Sequence, residues 1–369
     1  VHTRPAVASA KRSGYGVASA DYFGDIDLKR LADESRSIVK QKPYCSNGRL
    51  AENYSDEKLL ALAQRLEGDR IILTSTLPLR SRKIAGISGV RAKKLKDKAY
   101  QLKKVKKLNI ALPETRVVES REEAVQAAEE IGFPVVVKPA LGAGGEGVVL
   151  ARSPREIPEI YERFLVQEYI QGRAISVSTL SYRNESVAIS TSVQILGSRL
   201  AKARGFRYCG SLAPYSSDDR LLSIAEEISC LFNLRGWNGI DFVEAKGEYY
   251  FIELNPRFQG TLDVVERAYG LAIVEAHLAA CDGELPGQRP EANSFAARLT
   301  LFASEKCIVR GNLLKLCSDV PARNAIIEAG EPVTTVLSSG KSRSEALQRV
   351  KKKARQVYSR YLFSVPEAF

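Results

Sequence analysis

At 369 residues the chain exceeds what one core of about 100 to 200 residues organises, so two or three packed units are expected. With 44% hydrophobic and 27% charged residues it has the composition of a globular protein, which excludes a disordered or fibrous chain. Lysine and arginine total 55 against 43 aspartate and glutamate; the net charge of +12 suits an anionic ligand, while no run of roughly 18 apolar residues could cross a bilayer, so a cytoplasmic location without a membrane partner is expected.

The first segment reads as a helix over 3–14, a short strand over 15–22, a helix around 27–39, a helix over 56–66 and a strand over 69–75. Alternating helices and strands imply a parallel sheet covered by helices. The expected first strand would precede Val1, and the chain contains no methionine, so residues missing from the sequence are expected and local motifs outweigh long spacings.

Much of the positive charge lies between Leu79 and Lys107. A solvated helical face is the favoured reading there. A nucleic-acid surface is the lesser one, because only Tyr100 interleaves the run for base stacking. Beyond it come a helix ending near Leu108 and a helix over 120–131, with Ser120 as N-cap and Glu123 three residues on.

The run Phe133 to Pro139 is a buried strand that leads into Gly142, Gly144, Gly145 and Gly147. The spacing fits G-x-G-x-x-G, but a strand-like Val148 to Ala151 follows where a dinucleotide fingerprint needs a helix. A bare hairpin loop able to close over phosphates fits better, with a structural turn as its rival. Lys138 ends the valine run beside that loop, and a buried ammonium there calls for an anion. A helix near 154–164 and a strand over 165–169 follow.

The segment Asn238 to Arg257 carries the most information. Strands over 239–245 and 249–254 joined by Lys246-Gly247-Glu248 form a hairpin that sets Asp241 opposite Glu253. Facing carboxylates repel unless a hard divalent cation such as magnesium lies between them. Glu253, Asn255 and Arg257 alternate, so one strand face presents an acid, an amide and a cation. The competing reading is an ordinary polar hairpin face. A helix over 219–232 precedes the hairpin, and a basic helix over 342–361 ends the chain.

Six cysteines (Cys45, Cys209, Cys230, Cys281, Cys307, Cys317) without a C-x-x-C pair read as reduced thiols, and Cys209 as inert. Two histidines, His2 and His277, leave nothing for a histidine-centred metal site or triad, and His277 reads as a packed or surface helix residue.

In order, Asp97-Lys98, FPVVVKPALGAGGEG (133–147), LVQEYIQG (165–172), Asp241 and Glu253-Leu254-Asn255-Pro256-Arg257 resemble the ATP-grasp enzymes. The ending Gly340 to Ala346 is similar to the C-terminal part of biotin-carboxylase-like members. The resemblance implies an α/β and α+β architecture, an ATP-grasp fold with a Rossmann-like N-terminal domain. It divides the chain into a Rossmann-like domain over 1–92, a central lobe over 93–165, and a C-terminal lobe with a basic helical tail over 166–369. It implies ATP and Mg2+ as cofactors: Lys98 and Lys138 on the phosphates, the Gly142 to Gly147 loop over them, and Gln167, Glu168, Tyr169 and Ile170 along the adenine. Asp241, Glu253 and Asn255 would hold magnesium, and Arg257 would face the transferred phosphate. The implied reaction is ATP-dependent activation of a carboxylate as an acyl phosphate, followed by attack of an amine; carboxylate and amine are then the small-molecule partners, and a homodimer is the default assembly.

Two positions depart from the family pattern. Ala174 stands where many members place a ribose-binding glutamate, and Thr261 where a biotin carboxylase places its glutamate base, although Arg257 and Gln259 match. The second departure argues against bicarbonate and biotin. Arg204, Arg207, Arg257 and Gln259 are the candidate substrate contacts, and a nucleotide-binding regulator without turnover is a further alternative.

Overall fold

The computed structural model describes residues 2–365. The N-terminal helix Arg4–Arg12 opens with a proline in its first turn, where a missing N–H costs nothing. Strands Ala18–Asp21 and Glu34–Ser37 pair in parallel across the helix Ile26–Leu31. The helix expected to run to Val39 therefore stops early. Ala32 is extended (ψ 145°), and Glu34–Ser37 satisfies its backbone in the ladder, so tertiary pairing overrides local helix preference. A second parallel pair joins Ile71–Ile72 to Ile84–Ala85.

Antiparallel neighbours Thr115–Val118, Phe164–Glu168, Val135–Pro139 and Val149–Ala151 form a four-stranded sheet. The helix Arg121–Ile131 packs on it through Ala124 and Ala128, both fully buried, and starts as expected with Ser120 Oγ accepting from Glu123 N. The helix expected over 154–164 shrinks to the 3-10 turn Pro154–Glu156. Pro158 holds Ile157 extended (ψ 123°), which a helix cannot accommodate. Since Phe164–Glu168 belongs to this sheet, a lobe boundary at residue 165 passes through a strand.

The largest sheet is antiparallel, in the order Glu248–Asn255, Gly236–Ala245, Arg173–Tyr182, Glu185–Leu196, Tyr208–Ala213, Phe295–Phe302, Pro332–Gly340. Both of its faces are covered, so its central strands are buried almost throughout even though serine and threonine interrupt their apolar residues. Ile175, Val177, Ile240 and Phe242 pack with the helix Asp219–Leu231 in one core cluster. Leu180, Ile189 and Trp237 pack with Ile273 and Val274 of the helix Ile273–Asp282 in another. The helix Arg343–Arg360 closes the far end through Ala346, Val350, Ala354 and Val357, all buried. Its basic residues face solvent, apart from Lys353, whose ammonium donates to Leu337 O at 2.7 Å.

His277 is a packed residue. Its Nδ1 accepts from Trp237 N at 2.8 Å and its Nε2 lies 3.1 Å from Ala85 O, joining the second N-terminal strand pair to the large sheet. Gly86 and Gly236 leave room for the ring, since a Cβ on Gly236 would stand 2.4 Å from Nδ1.

Candidate active site

The hairpin that carries the acids turns at Lys246-Gly247, both at positive φ, and Ala245 pairs with Glu248. The loop is thus one residue shorter than the sequence reading gave it. That alone would move Asp241 off Glu253, but a bulge at Ile252 takes up the difference, and Asp241 does pair with Glu253. Asn255 follows on the same strand face; its Nδ2 donates to Asp241 Oδ2 at 2.9 Å and reaches Glu253 Oε1 at 3.4 Å.

Three cations converge on this acidic pair. Lys98, the first residue of the helix Lys98–Val105, lies with Nζ 3.4 Å from Glu253 and donates to Gly142 O at 2.7 Å. Asp97 caps that helix through the N–H groups of Ala99 and Tyr100 and so orients its first turn. Lys138, the last residue but one of the strand Val135–Pro139, is buried against the cleft, with Nζ 2.8 Å from Gln167 Oε1. Arg257 reaches Asn255 Oδ1 at 3.3 Å and donates to Phe258 O at 2.9 Å.

Electrostatics follow from this packing. Burial, reinforced by the facing Glu253, pushes the Asp241 carboxyl up to about 7. Burial would raise Glu253 too, but Lys98, Lys138 and Arg257 hold it below the usual glutamate range. Burial draws Lys138 down to about 8 against the attraction of Glu253, with Lys98 adding to the depression, and burial also lowers Arg257. Two buried carboxylates that face each other and share an amide therefore make an electron-rich oxygen set that a hard divalent cation would relieve, and Asp241, Glu253 and Asn255 fit magnesium.

These residues line a cleft of about 690 Å³ between the two larger sheets, together with Gln167, Glu168, Tyr169, Ile170, Gln259 and the glycine loop. The loop touches the far lobe: Gly144 O accepts from Tyr208 N at 3.1 Å, and a Cβ on Gly145 would meet Phe206 O at 2.0 Å. Gly147 stands back from the opening, where positive φ (70°) turns the chain beside Pro139. Gln167 faces inward to Lys138 and Thr115, whereas Glu168 is exposed and accepts from Glu114 N.

Arg204 and Arg207 do not join this cleft. Arg204 is exposed and lines neither this cleft nor the cavity beside it. Arg207 donates to Gly330 O, stacks 4.1 Å from the Phe302 ring centroid, and borders a neighbouring cavity of about 540 Å³. Thr261 is buried at the start of the helix Leu262–Tyr269, with no carboxylate at that position. Ala174 borders the cleft with its methyl group alone. Cys209 is buried, donates to Ile195 O, and has its thiol pKa raised by burial, as suits an inert thiol.

Sequence reasoning missed three groups. Gln101 is buried and clamps the acidic strand, accepting from Leu254 N at 2.8 Å and donating to Leu254 O at 2.9 Å. Ser176 and Gln194 draw the Asp241 carboxyl down against the effect of its burial. Only Gln101 had a usable signal, as an amide on the buried side of a lysine-rich helix.

Residues 95–261, which hold the glycine loop, Lys98, Lys138 and the acidic hairpin, match the model of the ATP-grasp domain. The chain is 29% identical over 351 residues to an uncharacterised protein of Methanocaldococcus jannaschii, covering 92% of this chain and 86% of that one. It is 26% identical over 187 residues to the carbamoyl phosphate synthase large chain of Clostridium perfringens, covering 46% of this chain and only 17% of that relative. Among solved structures, the biotin carboxylase domain of Hydrogenobacter thermophilus 2-oxoglutarate carboxylase, bound to MgADP, ADP and bicarbonate, aligns with a TM-score of 0.72 at 16% identity over 96% of this chain and 86% of that one. Phosphoribosylamine–glycine ligase of Thermotoga maritima aligns with a TM-score of 0.72 at 18% identity over 97% and 94%. Residues 95–261 thus carry the ATP-grasp domain match, and the chain shares its fold with these solved structures. No helix of the described residues is long and apolar enough to cross a membrane.

Proposed function

We propose that this protein is an ATP- and Mg2+-dependent ligase that activates a carboxylate as an acyl phosphate and joins it to an amine, releasing ADP and phosphate. The observation that carries this reading is the convergence of Lys98, Lys138 and Arg257 on the Asp241–Glu253–Asn255 set beneath a glycine loop. Phosphoryl transfer is largely a matter of holding charge in place, and this cleft supplies cations for phosphate oxygens and anionic oxygens that would hold a metal. Lys98 and Lys138 would take the ATP phosphates, the 142–147 loop would cover them, and residues 167–170 would flank the adenine. Magnesium would supply charge neutralisation between Asp241, Glu253 and Asn255, while Arg257, past the metal set on the same strand edge, would face the acyl phosphate.

Thr261 in place of a carboxylate base supports an amine rather than bicarbonate as the second reactant. The test is ADP release from MgATP with pooled small carboxylates and amines, run beside Glu253→Gln. Stimulation by one carboxylate–amine pair, absent in the variant, supports the ligase. Stimulation by bicarbonate and biotin alone would replace it with a carboxylase.

A further inference from the structure

Next to the nucleotide cleft, and sharing Lys98, Glu253, Asn255, Arg257 and Gln259 with it, lies the second cavity of about 540 Å³. That volume suits a small molecule. Lys96, Arg207 and the segment Thr74-Ser75-Thr76 line this cavity without lining the cleft, so they are placed for something other than the nucleotide.

The acids around it are already engaged. Asp319 pairs with Arg4 at 2.7 Å and with His2 at 2.8 Å, and Arg298 pairs with Asp263 at 3.1 Å. Glu253 faces Lys98 and belongs to the metal set. Asp25 accepts from Gln41, and burial, reinforced by Asp319 and Asp21, raises its pKa well above the usual range, which favours its neutral form. Asp56 and Glu146 are exposed, and Asp56 accepts from Tyr54 OH at 2.5 Å.

Three cations are not so engaged. Lys96, Arg207 and Arg257 have no carboxylate within ion-pair distance among the described residues. Arg207 and Arg257 at least donate to the carbonyls of Gly330 and Phe258. Lys96 Nζ has no partner among the described residues, although the side chain is half-buried. Burial, with Lys98 and Arg257 adding to it, lowers its pKa against the weaker pull of Asp56 and Glu253. A structural explanation exists, since Lys96 follows the helix Gly89–Leu95 and a cation is favourable at a helix C-terminus. Lys93 and Lys94 already serve that end from exposed positions, whereas Lys96 is set beside two like charges in a cavity, an arrangement that costs free energy until an anion enters. Thr74 and Thr76 add hydroxyls without hydrogen-bond partners among the described residues. Ser75 between them shares a small crevice with Ala92 and Arg257, which brings the segment to the same corner.

We propose that the second cavity holds the acid substrate, and that this acid carries a second anionic group, a phosphate or a further carboxylate, bound by Lys96 with Thr74 and Thr76 while the reacting carboxylate lies at Arg257. Arg257 belongs to both cavities, so a carboxylate there sits at their boundary, within reach of the nucleotide phosphates. The second anionic group, on residues of the second cavity alone, stays out of the nucleotide cleft. The role of the reacting carboxylate rests on the ligase reading; the anion subsite does not.

The test is calorimetric titration at fixed ionic strength with 3-phosphonopropionate, succinate and butyrate, which share one chain length, on the unmodified protein, Lys96→Met and Lys96→Arg. AMP-PNP with Mg2+ is titrated separately. At least one of the doubly anionic acids should bind about ten-fold or more tighter than butyrate, the phosphonate leading if the group is a phosphate and succinate if it is a carboxylate. Lys96→Met should erase that preference, as loss of a charge-assisted hydrogen bond does, and Lys96→Arg should keep most of it. A preference that survives in Lys96→Met is general attraction to a positive surface and overturns the inference, as does the absence of any preference in the unmodified protein. Should Lys96→Met fail to fold, crystals of the unmodified protein soaked in 3-phosphonopropionate decide: the phosphonate within hydrogen-bond distance of Lys96 Nζ supports the subsite, and its placement elsewhere overturns it. Binding of AMP-PNP without the preference overturns this inference alone; the preference without AMP-PNP binding overturns the ligase reading and leaves the anion subsite standing.

Discussion

Acidification should destabilise this protein through His277, by an amount that its surroundings set. The ring donates from Nε2 to Ala85 O and accepts at Nδ1 from Trp237 N, so both nitrogens are occupied in the neutral form and a second proton would break the Trp237 contact. Burial, partly opposed by the Ala85 hydrogen bond, lowers its pKa from 6.5 to about 4. The folded value lies below the unfolded one, so between them the unfolded chain binds more protons. The stability contribution is therefore complete above 6.5 and is lost as the pH falls toward 4. Between pH 7.5 and 4.5 this amounts to about 2.5 kcal/mol, taking 1.36 kcal/mol per pKa unit. Other buried acids titrate in the same window, so the measurement is a difference: urea unfolding of the unmodified protein and of His277→Gln at both pH values. His277→Gln should be less stable at pH 7.5 but lose about 2.5 kcal/mol less on acidification. Parallel pH dependence in the two proteins would refute the neutral, doubly bonded histidine.

Three further outcomes follow from the site. Lys138→Ala should raise the ATP KM about ten- to hundred-fold in steady-state kinetics, the scale of a charge-assisted contact, and an unaltered KM would remove Lys138 from the phosphates. Gln101→Leu leaves the buried Leu254 N–H and C=O unpaired; it should cost about 2 to 4 kcal/mol in urea unfolding and weaken Mg2+ binding, and a loss below about 0.5 kcal/mol would mean that the strand holds its place without the clamp. Gly145→Ala forces a Cβ against Phe206 O at positive φ (79°), so nucleotide affinity should fall while global stability changes little; unchanged affinity would show that the loop does not close on the far lobe.

Local pattern carried the reading where one element makes a site by itself. The alternation of Glu253, Asn255 and Arg257 needed only a strand, and Asp241 was reached through a hairpin whose loop length and bulge offset each other. Lys138 and the glycines were legible for the same reason, a buried strand running into bare backbone. The helices read over 27–39 and 154–164 went wrong for opposite causes: the first yields to a distant strand partner, the second to Pro158, whose effect on Ile157 was open to a local reading. Ser176 and Gln194 act on Asp241 across long sequence separations, and nothing near them in the chain announces it, whereas Gln101 had only its place on the buried side of a lysine-rich helix to mark it. Arg204 and Arg207 show the converse, since positive charge in a loop says nothing about which way the turn will aim it.

The central claim is that Asp241, Glu253 and Asn255 hold the metal of a bound nucleotide. Calorimetric titration with AMP-PNP, with and without Mg2+, on the unmodified protein and on Glu253→Gln tests it most directly. The account predicts tight binding that requires Mg2+ in the unmodified protein and a loss of the Mg2+ requirement, with weaker binding, in Glu253→Gln. Equal affinity with and without Mg2+, or an undiminished Mg2+ dependence in the variant, would contradict it.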